Sequence, residues 1–164
     1  MTKTISLIIL FAFGAISYAQ IDTSLLQIKK NYTRINSIKT WTKVKDINDY
    51  KAYDEGFDNS VTLFYNANKL EKIKVILYRE MFKKETRYYF LNNELSVVID
   101  ILTSYQKPYQ AKNAKIQTDK LYFKKGKLID LIKEQDSGLD MPSEEEVYDL
   151  FQEEVIKIKK LSER

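Results

Sequence analysis

Lys72, Lys74, Arg87 and Tyr89 have the residue types and spacing of a recognition surface for an anionic or sugar ligand. Each pair is two residues apart, so in extended chain each pair projects from one face of a strand. The same cations also suit a solvated sheet face that discourages edge-to-edge aggregation. Two loop groups hold carboxylates close in sequence: Asp54, Glu55 and Asp58, and Asp136 with Asp140. A carboxylate pair of glycosidase type needs two carboxyls about 5–9.5 Å apart in a cleft. The Asp54–Asp58 loop also has the oxygen donors of a calcium site, without the spacing of a known calcium loop.

Other chemistry is excluded by composition. The chain has no histidine and no cysteine, which removes the commonest general base, thiol nucleophiles and the usual zinc and copper ligands. No GxSxG, Walker or dinucleotide motif occurs among 164 residues with four glycines. Catalysis is therefore not expected, no metal or cofactor is implied, and the leading expectation is a non-enzymatic binding protein. Two alternatives stay open: an inhibitor or immunity-type protein that blocks an enzyme, and a carboxylate-dependent glycan hydrolase.

The elements that would position these residues are hairpins. Three segments align on the leucine after a turn: LFYNANKLEKI from Leu63, YYFLNNELSVV from Tyr88 and LYFKKGKLIDL from Leu121. Ala67-Asn68, Asn92-Asn93 and Lys125-Gly126 are the expected two-residue turns, whose positive φ angles Asn and Gly tolerate. Two-residue turns set Tyr65 against Leu70, Phe90 against Leu95 and Phe123 against Leu128. Such aromatic–aliphatic pairs contribute roughly 0.2–1 kcal/mol each.

Strands are expected at Val61–Asn66, Lys69–Arg79, Lys84–Leu91 and Glu94–Leu102, with the third hairpin over Lys120–Lys133. Ile73, Val75 and Leu77 share one face of the second strand, with Lys72 and Lys74 opposite. Leu95, Val97, Ile99 and Ile101 form one face of the fourth strand, yet Val98 and Leu102 are apolar too, so this strand is expected to be covered on both sides. Counted from the aligned leucine, the apolar parity differs between the first two hairpins, which implies a bulge or a turn of another length. Lys39–Asn48 suits an edge strand or an irregular crossing. Asp49–Ser60 is expected as a loop, and Thr103–Asp119 as a long polar connection of the kind often used for function.

Helices flank this region. Leu25, Ile28, Tyr32, Ile35 and Ile38 recur at helical spacing and predict a helix over Thr23–Ser37, with Lys29, Lys30, Asn31 and Arg34 off the stripe. After a polar break at Glu134–Pro142, Ser143 and Glu146 form a capping box. Glu144 and Glu145 suit the positive end of the following helix, and Lys157, Lys159, Lys160 and Arg164 the negative end. Val147, Phe151, Val155 and Ile158, with Leu150 and Leu161, are its expected buried stripe. The fold class is α+β: an antiparallel meander of about six strands with both helices packed on one face.

Residues 1–19 have the form of a secretory signal peptide, with Lys3, an apolar run from Ile5 to Ile16, and Ser17 and Ala19 before the cut. The run is short for a bilayer core of ~30 Å. The expected mature protein is one domain over residues 20–164, periplasmic or secreted, with no membrane span. Removing Lys3 lowers the net charge of +4 by one, too mild a balance to suggest nucleic acid. A partner protein or an envelope component is the expected ligand class.

The hairpins over Thr62–Ile132, with their Tyr/Phe-rich strands and Asn-Asn or Lys-Gly turns, resemble MORN-type repeats and the YwqK family of antitoxins, in which YYFxNGxL-like runs recur. The layout as a whole resembles small exported proteins of environmental bacteria. Neither resemblance implies an activity or a catalytic residue.

Overall fold

A computed structural model of the protein describes residues 23–47, 59–133 and 144–163. The expected signal peptide, the loop carboxylates Asp54, Glu55, Asp58, Asp136 and Asp140, and the Ser143 cap lie outside the described residues.

Helix α1 is described over residues 23–37. Seven strands follow: β1 (Lys43–Ile47), β2 (Asn59–Asn66), β3 (Lys69–Tyr78), β4 (Phe82–Leu91), β5 (Glu94–Ser104), β6 (Lys115–Lys124) and β7 (Lys127–Lys133). Helix α2 spans Glu144–Ser162. The strands form one antiparallel sheet in sequence order, a seven-stranded meander. The strand beyond the expected six is β1, the edge-strand option for Lys39–Asn48. The polar connection is shorter than Thr103–Asp119, because β5 and β6 extend their pairing as far as Ser104 and Lys115.

All three turns take positive φ at both central residues: Ala67 and Asn68, Asn92 and Asn93, Lys125 and Gly126. That geometry matches the right-handed twist of the flanking strands. The pairs Tyr65–Leu70, Phe90–Leu95 and Phe123–Leu128 are in register as expected. Immediately after each pair the register shifts by one residue. Phe64 pairs with Lys72, Tyr89 with Val97 and Tyr122 with Asp130, which leaves Glu71, Ser96 and Ile129 without cross-strand partners. Each hairpin therefore carries a bulge at the same place relative to its turn.

The bulges settle the parity of the apolar faces. In every hairpin the face of the aligned leucine resumes three residues later: Leu70 with Ile73, Leu95 with Val98, and Leu128 with Leu131. Leu95 consequently lies on the face opposite Val97 and Ile99, not with them as simple alternation predicts. The apparent mismatch of the second hairpin has another cause, which is that both faces of β5 are buried.

Both faces are buried because the helices divide between them. This corrects the expectation that they share one face. Val147, Val155 and Ile158 of α2 pack on Val61, Leu63, Ile73, Val75, Tyr88, Phe90, Val98, Leu121 and Phe123. Ile28 and Ile35 of α1 pack on Tyr89, Val97, Ile99 and Tyr122, residues of opposite parity on the same central strands. A central strand with apolar side chains on both faces needs a cover on each. Within α2, Phe151 and Leu161 join the core as expected, whereas Leu150 is 58% exposed and Tyr148 packs in its stead. Tyr148 lies edge-on to Phe123 with centroids 5.3 Å apart, and its meta-carbon faces Gly126 of the third turn.

Polar residues off the α1 stripe fix that helix to the three hairpins. Arg34 Nη2 meets the bulge residue Glu71 at 2.6 Å, Asn31 Nδ2 donates to the Phe90 carbonyl at 3.0 Å, and Lys29 Nζ reaches Asp130 at 3.1 Å. Asn31 Oδ1 in turn accepts from Arg34 Nη2 at 2.8 Å. The second bulge is closed internally, with Ser96 Oγ donating to the Tyr89 carbonyl at 3.0 Å. Among the described residues no helix is long and apolar enough to cross a membrane.

Candidate functional site

Strands β3 and β4 bring the four residues singled out in the sequence into one block. Lys72 pairs with Tyr89 and Lys74 with Arg87, all on the face that α1 covers in part. Their accessibility differs sharply.

Tyr89 is fully buried and belongs to the core. Its ring lies edge-on to Tyr32 of α1 at 4.8 Å, and its hydroxyl donates to Asn36 Oδ1 at 3.0 Å. Burial, reinforced by Tyr32, pushes that hydroxyl up to about 12 against the opposing influence of Arg87 and Asn36. A side chain so enclosed has no surface to give a ligand. The sequence signal for this was present in Tyr32, which sits on the α1 stripe and needs an apolar partner in the sheet.

Lys72 is half-buried between aromatic rings. Its ammonium stands 4.2 Å from the Phe64 centroid and 5.3 Å from that of Trp41, and those two rings are themselves 5.3 Å apart. Cation–π contacts of this kind are worth about 0.5–1 kcal/mol at partly exposed sites. Burial, and then the positive charges of Arg87 and Lys74, lower its pKa. Lys72 thus acts mainly as a strut under the β1–β2 edge.

The accessible cations lie one row further along the sheet. Lys74 of β3, Arg87 of β4 and Lys120 of β6 occupy one cross-strand row, with Ile99 of β5 between the last two. Neither Lys74 nor Lys120 has an ion-pair partner among the described residues. Arg87 Nη2 holds Glu85 Oε1 at 2.6 Å, and Lys83 Nζ lies 3.4 Å from the other oxygen of that carboxylate. Burial alone would raise the Glu85 carboxyl, but its bonds to Arg87 and Lys83 outweigh this and hold it below its ordinary value. Glu85 in turn raises Arg87 against its own burial.

Beyond this row Ile76, Glu85, Ile101 and Thr118 are half-buried and pair successively across β3 to β6. Helix α1 therefore packs over the half of the sheet face that holds Tyr89, Val97, Ile99 and Tyr122, and the other half is a cationic shelf with Ile76 and Ile101 between its polar residues. Lys83, Glu85 and Lys120 are the members that sequence reasoning missed, since only register places them beside Lys74 and Arg87. No group of three or more carboxylates stands ready for a metal ion among the described residues. Comparison with known protein families, curated proteins and solved structures gives no match.

Proposed function

We propose that this chain is an exported, non-enzymatic binding protein whose half-open sheet face engages an anionic group on a partner protein or envelope component. One observation carries the reading: Lys74, Arg87 and Lys120 stand in a single row on a sheet face that α1 leaves uncovered beyond Ile99. Cations held on a rigid sheet lose little freedom on binding, which favours recognition over a mobile set of the same charges. Arg87 is half-enclosed and already oriented by Glu85, so its guanidinium presents a fixed edge to a carboxylate or phosphate.

The test is a crosslinked pull-down from native envelope with the wild-type chain and with Lys74→Ala/Arg87→Ala as baits. A single partner captured by the wild type and lost in the variant supports the reading. Equal capture by both baits, or none by either, refutes it.

A further inference from the structure

We propose a second interaction surface at the far end of the sheet, on residues separate from the cationic shelf: a tip that docks on an anionic lipid surface. The β3–β4 turn and the β5–β6 loop meet there. Tyr105 N donates to the Met81 carbonyl and Tyr109 N to the Glu80 carbonyl, both at 2.7 Å, so two distant segments form one backbone unit. That unit turns its apolar side chains to solvent. Tyr109 is 67% exposed, Ile116 60% and Met81 45%. Tyr109 holds φ at +57°, a region an aromatic residue enters only at a cost of about 1–3 kcal/mol, and does so while leaving its ring in water.

Charge decides what such a tip can meet. The β5–β6 segment 105–116 contains Lys107, Lys112 and Lys115 and no carboxylate, and all three lysines are exposed without an ion-pair partner among the described residues. The β3–β4 turn sets one exposed carboxylate, Glu80, against them, so the tip stays cationic. Lysines on an exposed loop provide charge without a fixed donor geometry, which a fluid anionic surface accepts and a defined protein epitope does not reward. Their stems reach past apolar neighbours to keep the ammonium among headgroups. Tyrosine suits the same depth, with its ring toward the acyl chains and its hydroxyl in the wet layer. An apolar wedge behind a cationic collar is the general recipe for interfacial attachment, at about 1 kcal/mol per lysine near an anionic leaflet.

The experiment uses the full chain carrying Met81→Trp in a Trp41→Phe background, titrated with mixed phosphatidylglycerol–phosphatidylcholine vesicles brominated on the acyl chains. The expected result is a blue shift and quenching of the introduced indole, reversed by added salt. Partition should weaken about tenfold or more with pure phosphatidylcholine, with Lys107→Gln/Lys112→Gln/Lys115→Gln, and with Tyr109→Asn, which removes the ring while tolerating the positive φ. Lys74→Ala/Arg87→Ala should leave quenching unchanged, which separates this surface from the shelf. The readout is local to the tip, so attachment through the apolar residues 5–16 does not satisfy it. An indole that stays unquenched on anionic vesicles, or partition indifferent to the three lysines, overturns the proposal.

Discussion

Arg34 Nη2 lies 2.6 Å from Glu71 Oε2, and this pair ties α1 to a residue for which the sheet itself provides no partner. The two sides of the pair are unlike: the Glu71 side chain is 11% exposed and that of Arg34 48%. Truncating Arg34 strands a nearly buried carboxylate, whereas truncating Glu71 leaves a guanidinium that can turn to water. Arg34→Ala should therefore cost about 1–3 kcal/mol and Glu71→Ala less than about 1 kcal/mol. Urea denaturation of the two variants and the double variant measures the asymmetry. Equal costs would mean that the pair behaves as an ordinary surface contact.

The turns offer a gain as well as a loss. Ala67 and Lys125 hold φ at 47° and 48°, the position that Asn92 fills in the second hairpin. Ala67→Asn and Lys125→Asn should each stabilise the protein by up to about 1 kcal/mol, since Asn enters this region with less strain. Gly126→Ala should cost about 1 kcal/mol. A Cβ there meets Tyr148 at an ordinary 3.5 Å, so the cost comes from φ of +77° rather than from crowding. A change of 1 kcal/mol moves Tm by about 2–4 °C in a chain of this size, which calorimetry resolves.

Much of the fold was legible because its signals are local. A two-residue turn, a flanking aromatic and the leucine after it lie within six residues of one another, and Tyr65–Leu70, Phe90–Leu95 and Phe123–Leu128 pair as that spacing requires. The bulges at Glu71, Ser96 and Ile129 leave no such mark: a carboxylate, a hydroxyl and an aliphatic residue occupy one structural position. The division of the helices was nonetheless implied. Val97, Val98 and Ile99 are consecutive and apolar, which demands cover on both faces, and a chain with two amphipathic helices meets that demand by placing one on each. Alternation places Tyr89 on the same sheet face as Lys72 and Arg87 but carries no sign of its burial, because the path of α1 across the sheet depends on Asn31, Arg34 and Glu71 meeting over a long sequence distance.

Tyr89 should give the protein a step of alkaline instability. Its hydroxyl ionises at an ordinary 10 when unfolded and at about 12 when folded, so the folded state keeps a proton that the unfolded chain gives up. The corresponding stability is fully present below pH 10 and disappears as pH rises from 10 to 12, an amount of about 2–3 kcal/mol. Tyr89→Phe removes this loss, at the cost of one hydrogen bond to the exposed Asn36. Lys72 works in the other direction, because a lowered folded pKa makes stability rise as pH approaches 10.5. Unfolding free energies between pH 9 and 12 for wild type, Tyr89→Phe and Lys72→Met separate the two, and an unchanged slope in Tyr89→Phe would count against the assignment.

Glu85 couples acid stability to the charge of the cationic shelf. Its carboxyl is held below the ordinary 4.5 by Arg87 and Lys83, so its stabilising contribution is present above that value and is lost as pH falls through the lowered folded pKa. Glu85→Gln should flatten the acid limb of the stability profile and cost about 1 kcal/mol or less near neutrality, since its partners are partly exposed. The same substitution removes the carboxylate that Arg87 and Lys83 share, so the charge of Arg87 beside Lys74 and Lys120 is no longer offset. Retention on a sulfated-polysaccharide column should then increase although the protein is slightly less stable, and Lys74→Ala in the Glu85→Gln background should reverse the increase. Retention that follows stability, rather than opposing it, would show that the shelf does not present its charge to solution ligands.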